Sequence, residues 1–323
     1  MGGRCVHKVM LSSLIVVGLG LSHVSADWAP ASAQTVNPEI VEVTYQTLTR
    51  TSLVYVPSGY DGKTAMPLVL SFHGRWGKGK DQAALTELHT VGERYGFLVV
   101  YPDAAFGTWN AMAGNTTANE ELIDDVGFVD LLVTQLSQRF KIDSRRIYAS
   151  GFSNGGFFVH RLGCERSTRF AAIASVAGEM APALEKVCAP QAPVAVMTIH
   201  GTEDPIVPYT GGVTEGGGES LSAEATATTW NRLNRCNGQW LETLRIGQVF
   251  TRSFQGCAAP VAWTTVEGGG HTWPGGLQYQ SPLLIGITNR DVNASEMIWQ
   301  FFAANPQSEV SRPTAPTGLR VIR

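Results

Sequence analysis

The 323-residue chain carries 24 lysines and arginines against 27 aspartates and glutamates, a formal net charge of −3, with 44% hydrophobic and 16% charged residues. That balance offers no basic field for nucleic acid or an anionic membrane, and the apolar fraction suits a compact fold with a sizeable core. Seven histidines and five cysteines contain no H-x-x-x-H or C-x-x-C cluster, so a metal enzyme is not expected.

Arg4 and Lys8 precede an apolar run, Val9 to Leu21, that is short for a bilayer span. Small residues follow at Val24-Ser25-Ala26 and again at Ala31-Ser32-Ala33. This order of charged, apolar and small residues predicts a secretory signal peptide over 1–26, cleaved after Ala26 or alternatively Ala33; a short membrane anchor is the competing reading. A flexible segment over 27–38, one domain over 39–305 and a tail rich in Pro, Thr and Ser over 306–323 complete the expected organisation. The mature protein is expected to be secreted, free of the membrane and monomeric. Export removes Cys5 and leaves Cys164, Cys188, Cys236 and Cys257, which allow three pairings. The sequential pairing closes two short loops, each bridge contributing roughly 3 kcal/mol in the chain-entropy model. Four free thiols fit an oxidising compartment less well.

In chain order, IVEVTYQTL and TSLVYVP read as two antiparallel strands, and PLVLSFHG (67–74) as a buried strand ending in glycine. Leu85, Leu88 and Val91 place a helix over 81–95, followed by a strand, FLVVYPD (97–103). Residues 124–140 open with two acids and keep Val126, Val129, Leu132, Val133 and Leu136 on one face of a helix. RIYAS then leads through GFSNGG into another helix. Three further strands are expected at 170–178, 193–201 and 260–268, and helices at 221–234 and 291–303. Segments 104–123 and 208–220 read as irregular, the second as a glycine-rich mobile loop. Alternation of strand and helix over this length predicts an α/β fold, a mostly parallel central sheet with helices on both faces. The closing PTAPTGL resembles the start of a fibronectin type III module, but such a sandwich needs roughly 100 residues, so no second domain is expected.

Gly151-Phe152-Ser153-Asn154-Gly155 matches G-x-S-x-G, the pattern that exposes a serine on a sharp strand-to-helix turn. A serine hydroxyl needs a histidine to take its proton, and the histidine needs an acid, in the chain order Ser, acid, His on this kind of sheet. Three histidines follow Ser153. His160 lies seven residues along the same helix, a rise of roughly 10 Å, and His200 precedes the candidate acid. His271, in GGGHTWPGG just past the last strand, remains. Asp204 is the one aspartate between Ser153 and His271, at a strand end, with Glu203 as its rival. Read singly, these residues are an ordinary turn serine, an Asp-Pro turn and a loop histidine; in this order at three strand ends they form a triad. The oxyanion donors expected are the backbone N–H of Asn154 and that of Arg75 or Trp76, in the loop after SFHG. His73 reads as structural. Trp109 and Trp273 are candidates for lining the acyl pocket, and Asp124-Asp125 reads as helix N-terminal charge. The N-x-[ST] patterns at Asn115 and Asn293 are best taken as chance.

With SFHG, YPDA and the following WN, DDVGFVD, GFSNGG, IHGTEDPIVPYTGG, GGGHTWPGG and ASEMIWQFF in this order, the chain from about residue 45 to 304 resembles the exported polyhydroxybutyrate depolymerase and feruloyl esterase-like serine esterases. The resemblance implies an α/β-hydrolase fold, no cofactor, and Ser153, Asp204 and His271 as the triad. It also implies a bridge between Cys236 and Cys257. Arg75-Trp76 depart from the cysteine or glycines that many members place after HG. The implied activity is ester hydrolysis through an acyl-enzyme, on hydroxyalkanoate polyester or its oligomers. The alternatives are feruloyl or acetyl-xylan esters of plant polysaccharide, transfer of the acyl group to another alcohol, and a binding protein without chemistry on this scaffold.

Overall fold

The computed structural model describes residues 1–2, 38–114 and 116–308. The expected signal peptide past residue 2, residues 27–37, Asn115 and the tail from 309 lie outside them. In chain order the elements are β1 (Glu39–Tyr45), β2 (Leu48–Tyr55), β3 (Met66–Phe72), α1 (Gly79–Thr86), α2 (Leu88–Tyr95), β4 (Leu98–Pro102), α3 (Thr117–Glu120), α4 (Asp125–Arg139), β5 (Ile142–Phe152) and α5 (Asn154–Glu165). There follow β6 (Ala172–Val176), α6 (Pro182–Glu185), β7 (Ala195–Gly201), β8 (Gly212–Val213), β9 (Glu219–Ser220), α7 (Ala223–Leu233), β10 (Trp240–Ile246), β11 (Val249–Phe254), β12 (Val261–Val266), α8 (Pro282–Ile285) and α9 (Ala294–Ala304).

Ten strands form one sheet in the order β1-β2-β4-β3-β5-β6-β7-β12-β11-β10. The run from β4 to β12 is parallel, and antiparallel pairings close both edges. The period-2 side-chain alternation explains why the parallel strands read as unbroken apolar runs: both faces are buried. From β3, Leu68, Leu70 and Phe72 enter a core with Val129, Leu132 and Val133 of α4, Phe158 and Leu162 of α5, and Trp230 of α7. Val69 points the other way, into a core with Leu85 of α1, Leu88 and Val91 of α2, and Ile298 and Phe302 of α9.

Three departures from the sequence reading have local causes. The helix expected over 81–95 is two, broken at Glu87, whose φ of 46° is left-handed. There the Thr86 hydroxyl turns back to the Gln82 carbonyl and accepts the N–H of Leu88, the first residue of the second helix. The β10–β11 hairpin was missed because a register shift between Glu242 and Leu244 breaks its alternation and β10 is largely exposed. The 208–220 segment, expected to be irregular, holds the short β8–β9 ladder.

Both disulfides are sequential. Cys164–Cys188 ties the end of α5 to the segment after α6, and Cys236–Cys257 closes the base of the β10–β11 hairpin. Asp124 caps α4 by accepting the Gly127 N–H. Its neighbour Asp125 goes beyond the expected helix-end charge: fully buried, it pairs with Arg50 at 2.5 Å and accepts the Asn110 N–H at 2.6 Å.

Candidate active site

Ser153 is the single residue between β5 and α5. Its φ and ψ of 54° and −119° are costly for a residue with a Cβ, and the surrounding backbone imposes them. The Ser153 N–H donates to the Val176 carbonyl of β6, while its own carbonyl accepts from Phe157 in the first turn of α5. The flanking glycines are required by close approach. A Cβ on Gly151 would sit 2.1 Å from the Gly155 carbonyl oxygen, and one on Gly155 would sit 2.2 Å from that of Phe72. Gly155→Ala is therefore expected to cost about 3 kcal/mol or more, lowering Tm by roughly 6 to 10 °C in a thermal melt.

Asp204 follows β7, and His271 follows β12, the parallel neighbour of β7. The His271 Nδ1–H donates to Asp204 Oδ2 at 2.7 Å, with both side chains buried. Oδ1 of Asp204 accepts the N–H groups of Ile206 and Val207, each at 2.8 Å. Burial opposes its charge, but the charge and hydrogen bonds of His271 and His200 prevail and hold the carboxyl well below the usual carboxylate range. Glu203, the rival acid, is exposed. The His271 ring lies 4.9 Å from that of Phe152, the residue before Ser153, which brings the histidine to the elbow. Among the described residues no hydrogen bond joins Ser153 Oγ to His271, a looseness common before substrate binds.

On the opposite side of Ser153 runs the loop after β3. A Cβ on Gly74 would lie 3.2 Å from that of Ser153, so this loop packs against the elbow serine. The Trp76 N–H donates to the Gly107 carbonyl at 2.8 Å and so is not available to an oxyanion. Asn154 N–H, the first amide of α5, has no intrahelical acceptor. The Asn154 side chain grips Trp109 on both backbone groups, accepting its N–H and donating to its carbonyl. His73 is structural, as expected: its Nδ1–H donates to the Gly74 carbonyl, and Nε2 accepts the Ala104 N–H. Burial lowers its pKa and keeps it neutral.

Two expected pocket residues are corrected. Trp109 and Trp273 are both fully buried. Trp109 stacks on Phe158 and donates Nε1–H to the His73 carbonyl; Trp273 donates to Ser295 Oγ. Each is core, placed near the site by the chain but turned inward. A cleft bounded by Phe152 and the loop after β3 has a cavity volume of about 360 Å³ and is lined by Trp76, Gln82, Leu85, Leu277 and Tyr279, among others. Trp76 is 67% exposed, and Tyr279 donates its hydroxyl to the His271 carbonyl. The residues after His271 carried no periodic pattern in the sequence that would point into a pocket, so Leu277 and Tyr279 escaped notice.

The strand order, the elbow at the end of β5 and the buried acid–histidine pair just past the ends of β7 and β12 define an α/β-hydrolase. An acetyl xylan esterase from Aspergillus awamori shares this fold, with a TM-score of 0.55 over 82% of this chain and 99% of that one at 14% identity. Residues 51–208 match the family model described as esterase PHB depolymerase, and the protein is a carboxylic ester hydrolase. The match includes Ser153 and Asp204 and ends before His271. The chain is also 29% identical over 253 residues to "Putative esterase NocK" of Nocardia uniformis subsp. tsuyamanensis, covering 73% of each chain. To feruloyl esterase C of Emericella nidulans it is 27% identical over 264 residues, covering 79% of this chain and 84% of that one.

Proposed function

We propose that the protein is an exported serine esterase acting on feruloyl esters of plant polysaccharide, with Ser153, His271 and Asp204 as its catalytic triad. The observation that carries the chemistry is the buried 2.7 Å hydrogen bond from His271 to Asp204 beside the strained elbow serine. Ser153 Oγ attacks the ester carbonyl while His271 Nε2 takes its proton, and Asp204 fixes the tautomer and stabilises the imidazolium. The oxyanion rests on the Asn154 and Arg75 N–H groups. His271 returns the proton to the departing alcohol oxygen; water then repeats the sequence on the acyl-enzyme and releases the acid. Export is supported by the two disulfides, which suit an oxidising compartment.

The substrate class rests on the cleft and the relatives together. The walls are mostly apolar, with Trp76, Phe152 and Tyr279 supplying ring faces for an aromatic acyl group. The feruloyl esterase named above points the same way. The polyester reading that led the sequence argument now stands second, supported by the family description. The test is kcat/KM for methyl ferulate against a hydroxybutyrate oligomer, with the wild-type protein and Ser153→Ala. A ratio well above one supports the proposal; a ratio well below one replaces it with polyester turnover. Trp76→Ala is expected to raise KM for methyl ferulate roughly 5- to 30-fold with little change in kcat, since a stacking face binds ground and transition states alike.

A further inference from the structure

Behind Asp204 lie two buried titratable groups that the triad does not use. Glu179 follows β6 by three residues and is 1% exposed; His200, the penultimate residue of β7, is equally buried. Nδ1 of His200 faces Glu179 Oε1 at 2.8 Å. Its Nε2 faces Asp204 Oδ2 at 3.2 Å and the Val207 carbonyl at 2.9 Å. Every partner of this ring is an oxygen that accepts when the acids are ionised, so the imidazole satisfies them only with a proton on each nitrogen. The result is a continuous buried line, Glu179–His200–Asp204–His271, in which anion and cation alternate.

We propose that His200 is a positioning residue held as an imidazolium by Glu179. In this role it pins Asp204 Oδ2 toward His271 and partly cancels the field of Asp204 where the catalytic imidazolium forms. The inference rests on the triad reading above. Burial opposes the His200 charge, but hydrogen bonds and attraction from Asp204 and Glu179 outweigh it and push its pKa up to about 10. Without His200, Asp204 Oδ2 would lose a donor and the two buried carboxylates would face each other with no cation between them, which costs stability and loosens Asp204. With it, the line carries one net negative charge at rest and none once His271 is protonated.

The other titratable groups facing the line come from several elements. His160 of α5 accepts the Trp230 Nε1–H on its Nδ1, and burial pushes it down to about 4, so it is neutral. Tyr209 stands edge-on to His200 with ring centres 5.7 Å apart and its hydroxyl on Thr265. Tyr279 reaches the His271 carbonyl, and burial raises its pKa. Arg252 acts on Tyr209 and Glu215 on Tyr279. Glu203, next to Asp204 in the chain, is exposed.

The test is the pH profile of kcat/KM on a chromogenic ester for wild type, His200→Gln and Glu179→Gln, with Ser153→Ala as control. Glutamine at 200 still donates a hydrogen bond but carries no charge. Removing the cation makes the field at His271 more negative, so the acid limb moves up by roughly 0.5 to 1 pH unit, and kcat falls about 10- to 100-fold. Removing the Glu179 anion leaves the cation balanced by Asp204 alone, and the limb moves down by a smaller step. Glu179→Asp is expected to restore the wild-type limb. Unmoved limbs in both glutamine variants, with Ser153-dependent activity in wild type, overturn the proposal. Activity that is missing in wild type or survives in Ser153→Ala overturns the triad reading instead. If the variants do not fold, imidazole nitrogen NMR shifts of the wild-type protein at pH 7.5 decide. Two protonated nitrogens on His200 support the proposal; one bare nitrogen overturns it.

Discussion

Ser153→Ala is expected to lower kcat for ester hydrolysis by roughly 10⁵- to 10⁶-fold, the loss typical when the nucleophile of a cooperating triad is removed. The protein should stay folded, because the substitution touches no interaction that builds the elbow. The Ser153 N–H and carbonyl make the hydrogen bonds to Val176 and Phe157, and these survive the loss of Oγ. The left-handed φ of 54° is imposed by the glycine contacts around it and is as tolerable to alanine as to serine. A thermal melt should therefore agree with wild type to within about 2 °C, a surface-like effect of a few tenths of a kcal/mol. Two readouts separate chemistry from binding. Steady-state kinetics should show a kcat collapse with KM little changed. Intact-protein mass spectrometry after mixing with a slow ester should show an acyl adduct on wild type and none on the variant. An adduct of equal yield on Ser153→Ala would move the nucleophile elsewhere.

The legible part of this site was the part fixed by chain order. G-x-S-x-G marks a steric requirement, since only glycine fits at 151 and 155, and that requirement is printed in the sequence. Asp204 and His271 were reached by elimination, because strand ends on a parallel sheet collect at one edge and few candidates lay there. The tryptophans went wrong for the opposite reason. Distance along the chain from a site residue says nothing about which way an indole turns: both Trp109 and Trp273 find hydrogen-bond partners inside the core, and Trp109 stacks on Phe158 as well. Chain order speaks against His200 as the base, but its contact with Asp204 across a strand end depends on side-chain direction, which chain order does not show. Glu179 sits in VAGEMAPAL, where nothing but burial distinguishes it from a surface glutamate. Its importance appears only when β6 and β7 are laid side by side. The β10–β11 hairpin was hidden by its own irregular register, a pattern that alternation cannot detect.

Asp204→Asn is expected to cost about 10⁴-fold in kcat, the magnitude seen when a triad acid is neutralised without losing its shape. The hydrogen-bond inventory explains why an isosteric change does so much. Asp204 accepts four hydrogen bonds, two on Oδ1 from the Ile206 and Val207 amides and two on Oδ2 from His271 and His200. An asparagine has one carbonyl oxygen and one NH₂ group. The two backbone donors of the 204–207 turn cannot reverse, so they hold the asparagine oxygen at the Oδ1 position. The NH₂ then occupies the Oδ2 position, facing His271 Nδ1. His271 can accept there only as the tautomer protonated on Nε2, which presents a proton to Ser153 when it should be taking one. The same NH₂ meets the Nε2–H of His200, so the buried cation loses its anionic partner on that side. Two results follow from this geometry. In imidazole nitrogen NMR at pH 7.5, the His271 proton should move from Nδ1 in wild type to Nε2 in the variant. Stability should fall by about 1 to 3 kcal/mol, the cost of leaving a buried donor unpaired, measured as a lower denaturant midpoint at unchanged m-value. If Asp204→Asn retained activity within tenfold of wild type while the tautomer had moved, a carboxylate at 204 would not be what orients the base, and Glu203 would have to be tested in its place.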